Sequence, residues 1–589
     1  MAIKRINREA IIKKREIGMN DTNNESKEDV IKLKNGASAI VRIGENFEVD
    51  DKYVYKTDCN GQKTKLSNRI LLENIIKNID TGECMGNIKY RAFNEDNEIQ
   101  VSRDRYLNKN KLIELIDKGV DVTHKNVNDL VDYFRESEEK FEKPSYVHSN
   151  IGFSNFDNKT IYKLNKAIGI ESNYVGRYAL EPQGRKEEYE QMLKKEVYGR
   201  KELELIILVA LSAVIIGYIG IDIGLDTNIF HLVGNSTTGK STALRLAISL
   251  FAFPDNRKLS LYSTYNGTSN ALLSSLSGIN GVTFAFDEIS MGTTNNFSKF
   301  IYTLANGVDK KRMTKDSELK ECGTWLTTIL SNGEKSLIDS SNKNAGIQVR
   351  VMEAKNILWT KNAENSNNIK KVVLKNYGHI GIEFAEYVMK MGKKEVENDF
   401  YKVQKDIYEK IKEKISVDKM TERRCKNFAS IILAGYYYQD MKEIELDIDG
   451  IIDILVTIEE ESIRERNFSN SVIDYIKQYI SKYKNKFEPN NSNQRELIGT
   501  IIDKGNFVEV QMDKISFEQM IKQGNYEDKN VVLKELKKNG YLNCEADRLT
   551  RSRKNSMGYT EDVYVIVLQK DDDENNLQIN DEPFEDIEI

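Results

Sequence analysis

The chain has 589 residues, 30% of them charged, with five prolines, five cysteines and a formal net charge of −5. Such a length fits three or four domains, and so few prolines exclude long proline-rich linkers. Cys59, Cys84, Cys322, Cys425 and Cys544 form no CxxC pair, which argues against a zinc or disulfide framework and fits a reducing cytosol.

Charge is unevenly placed along the chain. Residues 571–589 hold nine acidic residues and no Lys or Arg, so removing them turns −5 into +4. The body is mildly basic, and the tail reads as an acidic disordered segment, solvating or holding a protein partner. At the other end, residues 1–35 are charged and lack the apolar core of a signal peptide. Residues 36–195 contain β-rich pieces, "ASAIVRIGENFEVDDKYVYK" and "CMGNIKYRAFNEDNEIQVSR", and then a helical stretch. This predicts a mixed α+β domain, a collar or partner-binding unit. Its acids and histidines do not recur at metal-ligand spacing, and the clustered carboxylates of polymerase or primase chemistry are not identifiable.

Leu205 to Ile221 is uncharged over 17 residues, near the short limit for a membrane span. It is the only such run, and it leads directly into the next motif. It is therefore read as a helix packed under a central sheet, with no membrane partner and a cytoplasmic location.

Residues 234–242 read "GNSTTGKST", which is G-x4-G-K-[ST], the phosphate-binding loop. Gly234 and Gly239 let the backbone curl so that the N–H groups of Asn235, Ser236, Thr237 and Thr238 converge on phosphate oxygens. Lys240 reaches the outer phosphates, Ser241 supplies a magnesium ligand, and Thr242 begins a helix whose positive end faces the same anions. The flanks agree: "IFHLV" suits a buried strand, and Leu244, Ala247, Ile248 and Phe251 recur at helical spacing. ATP and magnesium are the cofactors expected.

A second strand, Val282 to Phe286, ends at Asp287–Glu288. Asp287 is placed to hold magnesium, and Glu288 to act as general base on a water. Next, "NGVDKKRMTKDSELKECG" gathers Lys310, Lys311, Arg312, Lys315 and Lys320 around "KDSE", a hairpin turn or a solvated loop. A third strand, in Thr324 to Glu334, opens on Ser331–Asn332. Asn332 can touch the outer phosphate or orient the water, or simply belong to an Asn-Gly turn. Beyond it, Arg350 lies in an apolar strand-like run, "NAGIQVRVMEAKN". It needs an anion: the triphosphate of a neighbouring subunit, or the partner in a structural salt bridge.

Together, "HLVGNSTTGKSTALRLAISLF", "STYNGTSNALLSSLSG", "FAFDEIS", "IYTLANGVDKKR", "TWLTTILSNGEKSL" and "NAGIQVRV" resemble the domain of unknown function 927 family. Its members are helicase-like ATPases of phages, plasmids and genomic islands. Some are similar to the replicative helicases of mobile cassette chromosomes, which are themselves similar to minichromosome-maintenance ring helicases. The resemblance covers roughly residues 36–390. It implies an AAA+ fold working as a homo-oligomeric ring, a hexamer, with ATP sites between subunits. Lys240, Ser241, Asp287, Glu288 and Asn332 would take the ATP-site roles, and Arg350 the role acting in trans. In such rings a basic hairpin projects into the pore and grips nucleic acid.

Residues 366–470 look helical throughout, a lid plus an extension. In 471–570 the pattern is helix, turn, helix, then two strands, with Asp528 as N-cap and Gly540 as the stop of "KNVVLKELKKN". Lys537 and Lys538 on that helix, and Arg551 and Arg553 near the wing, are candidate DNA contacts. A winged helix also serves as a protein-docking module. The expected architecture is a multidomain α/β protein with a central P-loop AAA+ ATPase of three-layer α/β design at 196–365. Around it lie the α+β N-terminal domain, the helical lid at 366–470 and the C-terminal winged helix. The expected function is a DNA helicase or translocase of a mobile element or phage. An AAA+ loader or regulator that does not unwind, or the ATPase of a phage-defence system, would need the same nucleotide site.

Overall fold

The computed structural model describes residues 30–31, 40–291, 297–313, 319–320, 322–338, 345–417, 419–466, 468–487, 497–524, 526, 528–545, 548–554 and 559–569. The acidic tail, Lys315 and most of the first 35 residues lie outside them. Contacts divide the chain into two compact units, with the break between Val147 and His148. That break falls inside the 36–195 segment.

The first unit is β-rich. Strands Ile40–Ile43, Phe47–Val49, Tyr53–Thr57 and Lys63–Asn68 form an antiparallel meander. Ile70–Asn78, Cys84–Ala92 and Glu95–Ser102 form a second antiparallel set. Cys84–Ala92 alternates buried and half-buried residues, the period-two signature of a strand with one face in a core. Helix Val127–Glu138 turns Leu130, Tyr133 and Phe134 into the same core as Phe47, Val54, Ile70 and Ile88.

The second unit is built on a parallel sheet. Helix α1 (Lys201–Ile223) contains the uncharged run, and it is buried continuously from Leu203 to Gly220. A helix apolar all round needs cover on every side, and the protein interior supplies it. At Gly217 a Cβ would lie 2.4 Å from Gly281 Cα, so only glycine lets these backbones approach. After α1 come β1 (Asn228–Val233), α2 (Lys240–Ser249), β2 (Tyr262–Thr264), β3 (Phe284–Asp287), β4 (Thr328–Gly333), α3 (Ala345–Arg350) and β5 (Val351–Lys355). The strand order is β2-β3-β4-β1-β5, and every pairing is parallel. Both faces are covered, so the strands are mostly apolar: Ile229, Phe230 and Leu232, with His231 among them, and Phe284 to Phe286 are all buried.

One expectation is corrected here. Arg350 is the last residue of helix α3, and the strand begins one residue later. Its Nη1 donates to the Gly346 carbonyl four residues back, 2.9 Å away, and its guanidinium lies 5.0 Å from the Tyr302 ring centroid. The guanidinium thus turns back along its own short helix.

Helices cover 363–482 almost continuously. The C-terminal part is a four-stranded antiparallel sheet with Lys514–Gln523 and Lys529–Lys538 against it. Two strands, Gly499–Asp503 and Phe507–Asp513, precede the helices and add to the two expected after them. Asp513 and Asp528 cap the helices through their carboxylates.

Candidate nucleotide site and nucleic-acid surfaces

The strand order creates the site. Because β4 lies between β1 and β3, the carboxyl ends of the three strands stand side by side. Such an edge is where ligands bind in open parallel sheets. The loop after β1, Asn332 on β4 and Asp287 at the end of β3 therefore converge, although 46 residues separate Ser241 from Asp287.

The loop is glycine-dependent at one end. Gly239 has φ +89°, and a Cβ there would lie 2.5 Å from Thr360 Oγ1 and 2.9 Å from the Thr360 nitrogen. At Gly234 a Cβ would meet nothing nearer than Thr238 Oγ1 at 3.7 Å. Contacts within the chain therefore do not demand glycine at 234. Thr237 also takes a positive φ, 73°, which turns the loop between Ser236 and Thr238. Ser236 Oγ donates to Glu334 Oε1 at 2.6 Å, Thr238 Oγ1 donates to the Asn235 carbonyl, and the Trp359 amide donates to the Thr238 carbonyl.

Lys240 is 8% exposed, and its ammonium donates to the carbonyls of Gly234 and Asn235, each at 2.7 Å. Burial lowers its pKa, against the opposing pull of Glu288, Glu334 and Asp287. Thr242 Oγ1 meets Ser366 Oγ at 2.7 Å, tying α2 to the helix Ala363–Val373.

Asp287 is the hub. Its Oδ1 accepts from Ser241 Oγ at 3.1 Å and from Asn332 Nδ2 at 2.6 Å. Its Oδ2 accepts from the Tyr262 hydroxyl at 2.6 Å, and burial together with this carboxylate raises the tyrosine's pKa. Asn332 is 1% exposed, and its Oδ1 accepts the Glu288 amide at 2.6 Å. Glu288 sits at φ +59°, a strained conformation for a residue with a Cβ. Its carboxylate accepts from Ser290 Oγ at 2.7 Å.

The donor set fits a nucleotide phosphate with magnesium. A hydroxyl and a carboxylate 3.1 Å apart beside a buried ammonium are hard oxygen ligands next to a phosphate partner. Among the described residues no cluster of three His, Cys, Asp or Glu side chains is present. A magnesium ion here would rely on phosphate oxygens and water for the rest of its shell, as is usual for this ion.

Tyr262 was not foreseen by the sequence reading, and neither was a buried pair behind α3. Arg424 and Glu459 are 1% and 0% exposed in their side chains and form an ion pair. Arg424 Nη1 donates to the carbonyls of Gln348 and Val351 at 2.7 and 2.8 Å. Arg424 thus grips the backbone on both sides of Arg350.

The candidate nucleic-acid residues are scattered. Arg312–Met313 pairs with Leu319–Lys320 as an antiparallel ladder whose register sets Arg312 opposite Lys320. Lys310 and Lys311 lead into it, exposed, and the turn is outside the described residues. Lys537 and Lys538 are exposed at the end of Lys529–Lys538. Arg551 Nε donates to Asn543 Oδ1 at 2.7 Å, and Arg553 donates to the Ser552 carbonyl. These two are held within the sheet.

Residues 47–323 match a family described as domain of unknown function DUF927. Residues 469–571 match the Cch helix turn helix domain. The first match contains the phosphate loop and Asp287–Glu288 and stops before Asn332 and Arg350. Among solved structures the chain is similar to one titled "SCCmec type IV Cch - active helicase", with 23% identity and a TM-score of 0.72 over 89% of this chain and 97% of that one. At that identity the likeness is one of fold. No match was found among the curated proteins.

Proposed function

We propose that the chain, which matches DUF927 over residues 47–323 and the Cch helix turn helix domain over 469–571, is an ATP-hydrolysing, magnesium-dependent DNA motor, a helicase or translocase of a mobile genetic element. The observation that carries the reading is the Ser241–Asp287–Asn332 cluster beside Lys240 at the carboxyl edge of the parallel sheet. The order β2-β3-β4-β1-β5 supports a P-loop ATPase core of the AAA+ type.

In this reading Lys240 and the loop amides from Asn235 to Thr238 bind phosphates, and Ser241 and Asp287 hold magnesium. When bound, the metal neutralises charge on the phosphate oxygens. Glu288, fixed at the strand end by Asn332, accepts a proton from the attacking water. Asn332 keeps the base and the metal-binding carboxylate in register. Arg350 serves the site of the next copy in a ring, a hexamer, because it lies at the opposite end of the sheet from its own loop. The basic ladder around Arg312 and the helix carrying Lys537 and Lys538 meet DNA. The likeness in fold to a solved helicase over most of both chains agrees with this assignment.

The test is ATPase rate for wild type and Glu288→Gln, with and without single-stranded DNA, beside displacement of a labelled strand from a forked duplex. DNA-stimulated hydrolysis and displacement in the wild type alone support the motor. Robust hydrolysis that ignores DNA and displaces nothing overturns it in favour of a loader or regulator.

A further inference from the structure

The helix Phe468–Lys482 and the turn Lys484–Lys486 precede the helix-turn-helix elements. Tyr475, Tyr479 and Tyr483 recur every four residues, so they share one helix face. Their rings form a ladder: Tyr526 to Tyr475 at 5.8 Å between centroids, Tyr475 to Tyr479 at 6.2 Å, and Tyr479 to Tyr483 at 4.6 Å. Tyr526 is 4% exposed, and Tyr475 is locked by its hydroxyl donating to the Met520 carbonyl at 2.9 Å. Tyr475, Tyr479 and Tyr483 are each partly exposed, with one side packed against the hydrophobic core.

Around Tyr479 and Tyr483 lysines outnumber acids, with the Asp513 carboxylate near Tyr479. From Tyr475 to Phe487 there are four lysines, Lys477, Lys482, Lys484 and Lys486, and no acidic residue. Lys482 Nζ lies 5.4 Å and Lys486 Nζ 5.9 Å from the Tyr483 ring centroid. The carboxylate that acts on Tyr479, that of Asp513, accepts the amides of Ile515 and Ser516 as a helix cap. Partly exposed rings set among cations match a nucleic-acid strand with unpaired bases: the rings stack on bases, and the ammonium groups meet phosphates. A duplex would offer the phosphates but keep its base faces covered.

We infer that Tyr479 and Tyr483, with Lys482 and Lys484, form a stacking ridge for single-stranded nucleic acid. The inference shares with the proposed function only that the chain meets nucleic acid. It is tested by binding without nucleotide, so its failure leaves the hydrolysis and displacement results standing, and the converse holds.

The experiment measures fluorescence anisotropy of labelled oligo(dT) and of a blunt duplex with the full chain. Tyr483→Ala and Tyr479→Ala should each weaken oligo(dT) binding by ~5- to 150-fold, from ~1–3 kcal/mol per stacked base. Tyr483→Phe, which keeps the ring, should stay within about twofold, and duplex affinity should not move. Lys482→Gln with Lys484→Gln, at exposed positions that leave the core intact, should reduce the oligo(dT) salt slope by about 0.7 per lysine. Unchanged oligo(dT) affinity in the alanine variants overturns the inference. So does an equal loss for duplex, an equal loss in Tyr483→Phe, or an unchanged salt slope in the lysine variant.

Discussion

Asn332→Ala removes a side chain that contacts both acidic residues of the candidate site. Its Nδ2 is 2.6 Å from Asp287 Oδ1, and its Oδ1 is 2.6 Å from the Glu288 amide. A hydrogen bond to a charged group contributes ~1.5–3 kcal/mol, and a neutral one about 1. Glu288 in addition holds a positive φ of 59°, a conformation that costs ~1–3 kcal/mol and persists only where its surroundings impose it. Without Asn332 the amide loses its acceptor and the glutamate can relax. A displacement of ~1 Å at a reacting group costs about 100-fold in rate, so kcat should fall by about that factor. Lys240 and the loop carbonyls that hold it are untouched, so nucleotide affinity should stay within about threefold. The assays are steady-state ATP hydrolysis and equilibrium titration with a fluorescent nucleotide. If kcat stays near wild type, or if affinity falls in parallel with kcat, Asn332 is a packing residue and its proposed role is wrong.

Tyr262→Phe should raise the magnesium concentration needed for half-maximal hydrolysis several-fold while sparing nucleotide affinity measured without metal, because among the described residues the Tyr262 hydroxyl is what restrains Asp287 Oδ2; an unchanged magnesium titration rejects it. His231 is fully buried against Ser331 Oγ and the Lys335 carbonyl, and burial lowers its pKa below the usual 6.5. The unfolded chain therefore binds a proton that the folded chain does not, and stability falls as pH drops below ~6.5, by at most about 1.4 kcal/mol per pH unit. Thermal midpoints at pH 7.5 and 5.5 should converge in His231→Gln relative to wild type. Arg350→Ala should lower ATP hydrolysis at least tenfold, and mixing it with Lys240→Ala should restore part of the rate if sites are shared between copies; no restoration at any ratio argues against a role in trans.

The phosphate loop is legible because its chemistry is contiguous: nine residues supply glycines, lysine and hydroxyls in one turn. Asp287 is legible because a strand end followed by two acids is a local pattern. Arg350 is not, because six residues of mixed apolar character fit a short helix as well as a strand, and α3 occupies just the stretch from Ala345 to Arg350. Tyr262 carries no local signal. It meets Asp287 across 25 residues only because β2 pairs with β3, and Arg424 meets Val351 across 73. The strands Gly499–Asp503 and Phe507–Asp513 did have a signal, the alternation in "FVEVQMD" and Gly505 at φ +89° in the turn between them.

Parallel strands make a sharp statement about Arg350. Ile229 is level with Val351 and Val233 with Lys355, so Arg350 stands beside the start of β1 while the phosphate loop begins beyond its end. Six residues at ~3.3 Å each separate the two levels by roughly 20 Å, beyond the reach of one side chain. Whatever anion Arg350 serves, it is not a phosphate held by its own loop. Its position is nonetheless fixed with care: Arg424, paired with Glu459, anchors the carbonyls of Gln348 and Val351 from the helix Lys419–Lys442. A buried ion pair is costly to break, ~3–5 kcal/mol when one partner is removed, so removing either Arg424 or Glu459 should loosen this junction. A role for Arg350 at a neighbour's site belongs to the ring proposed above, and the mixing experiment with Lys240→Ala is its test.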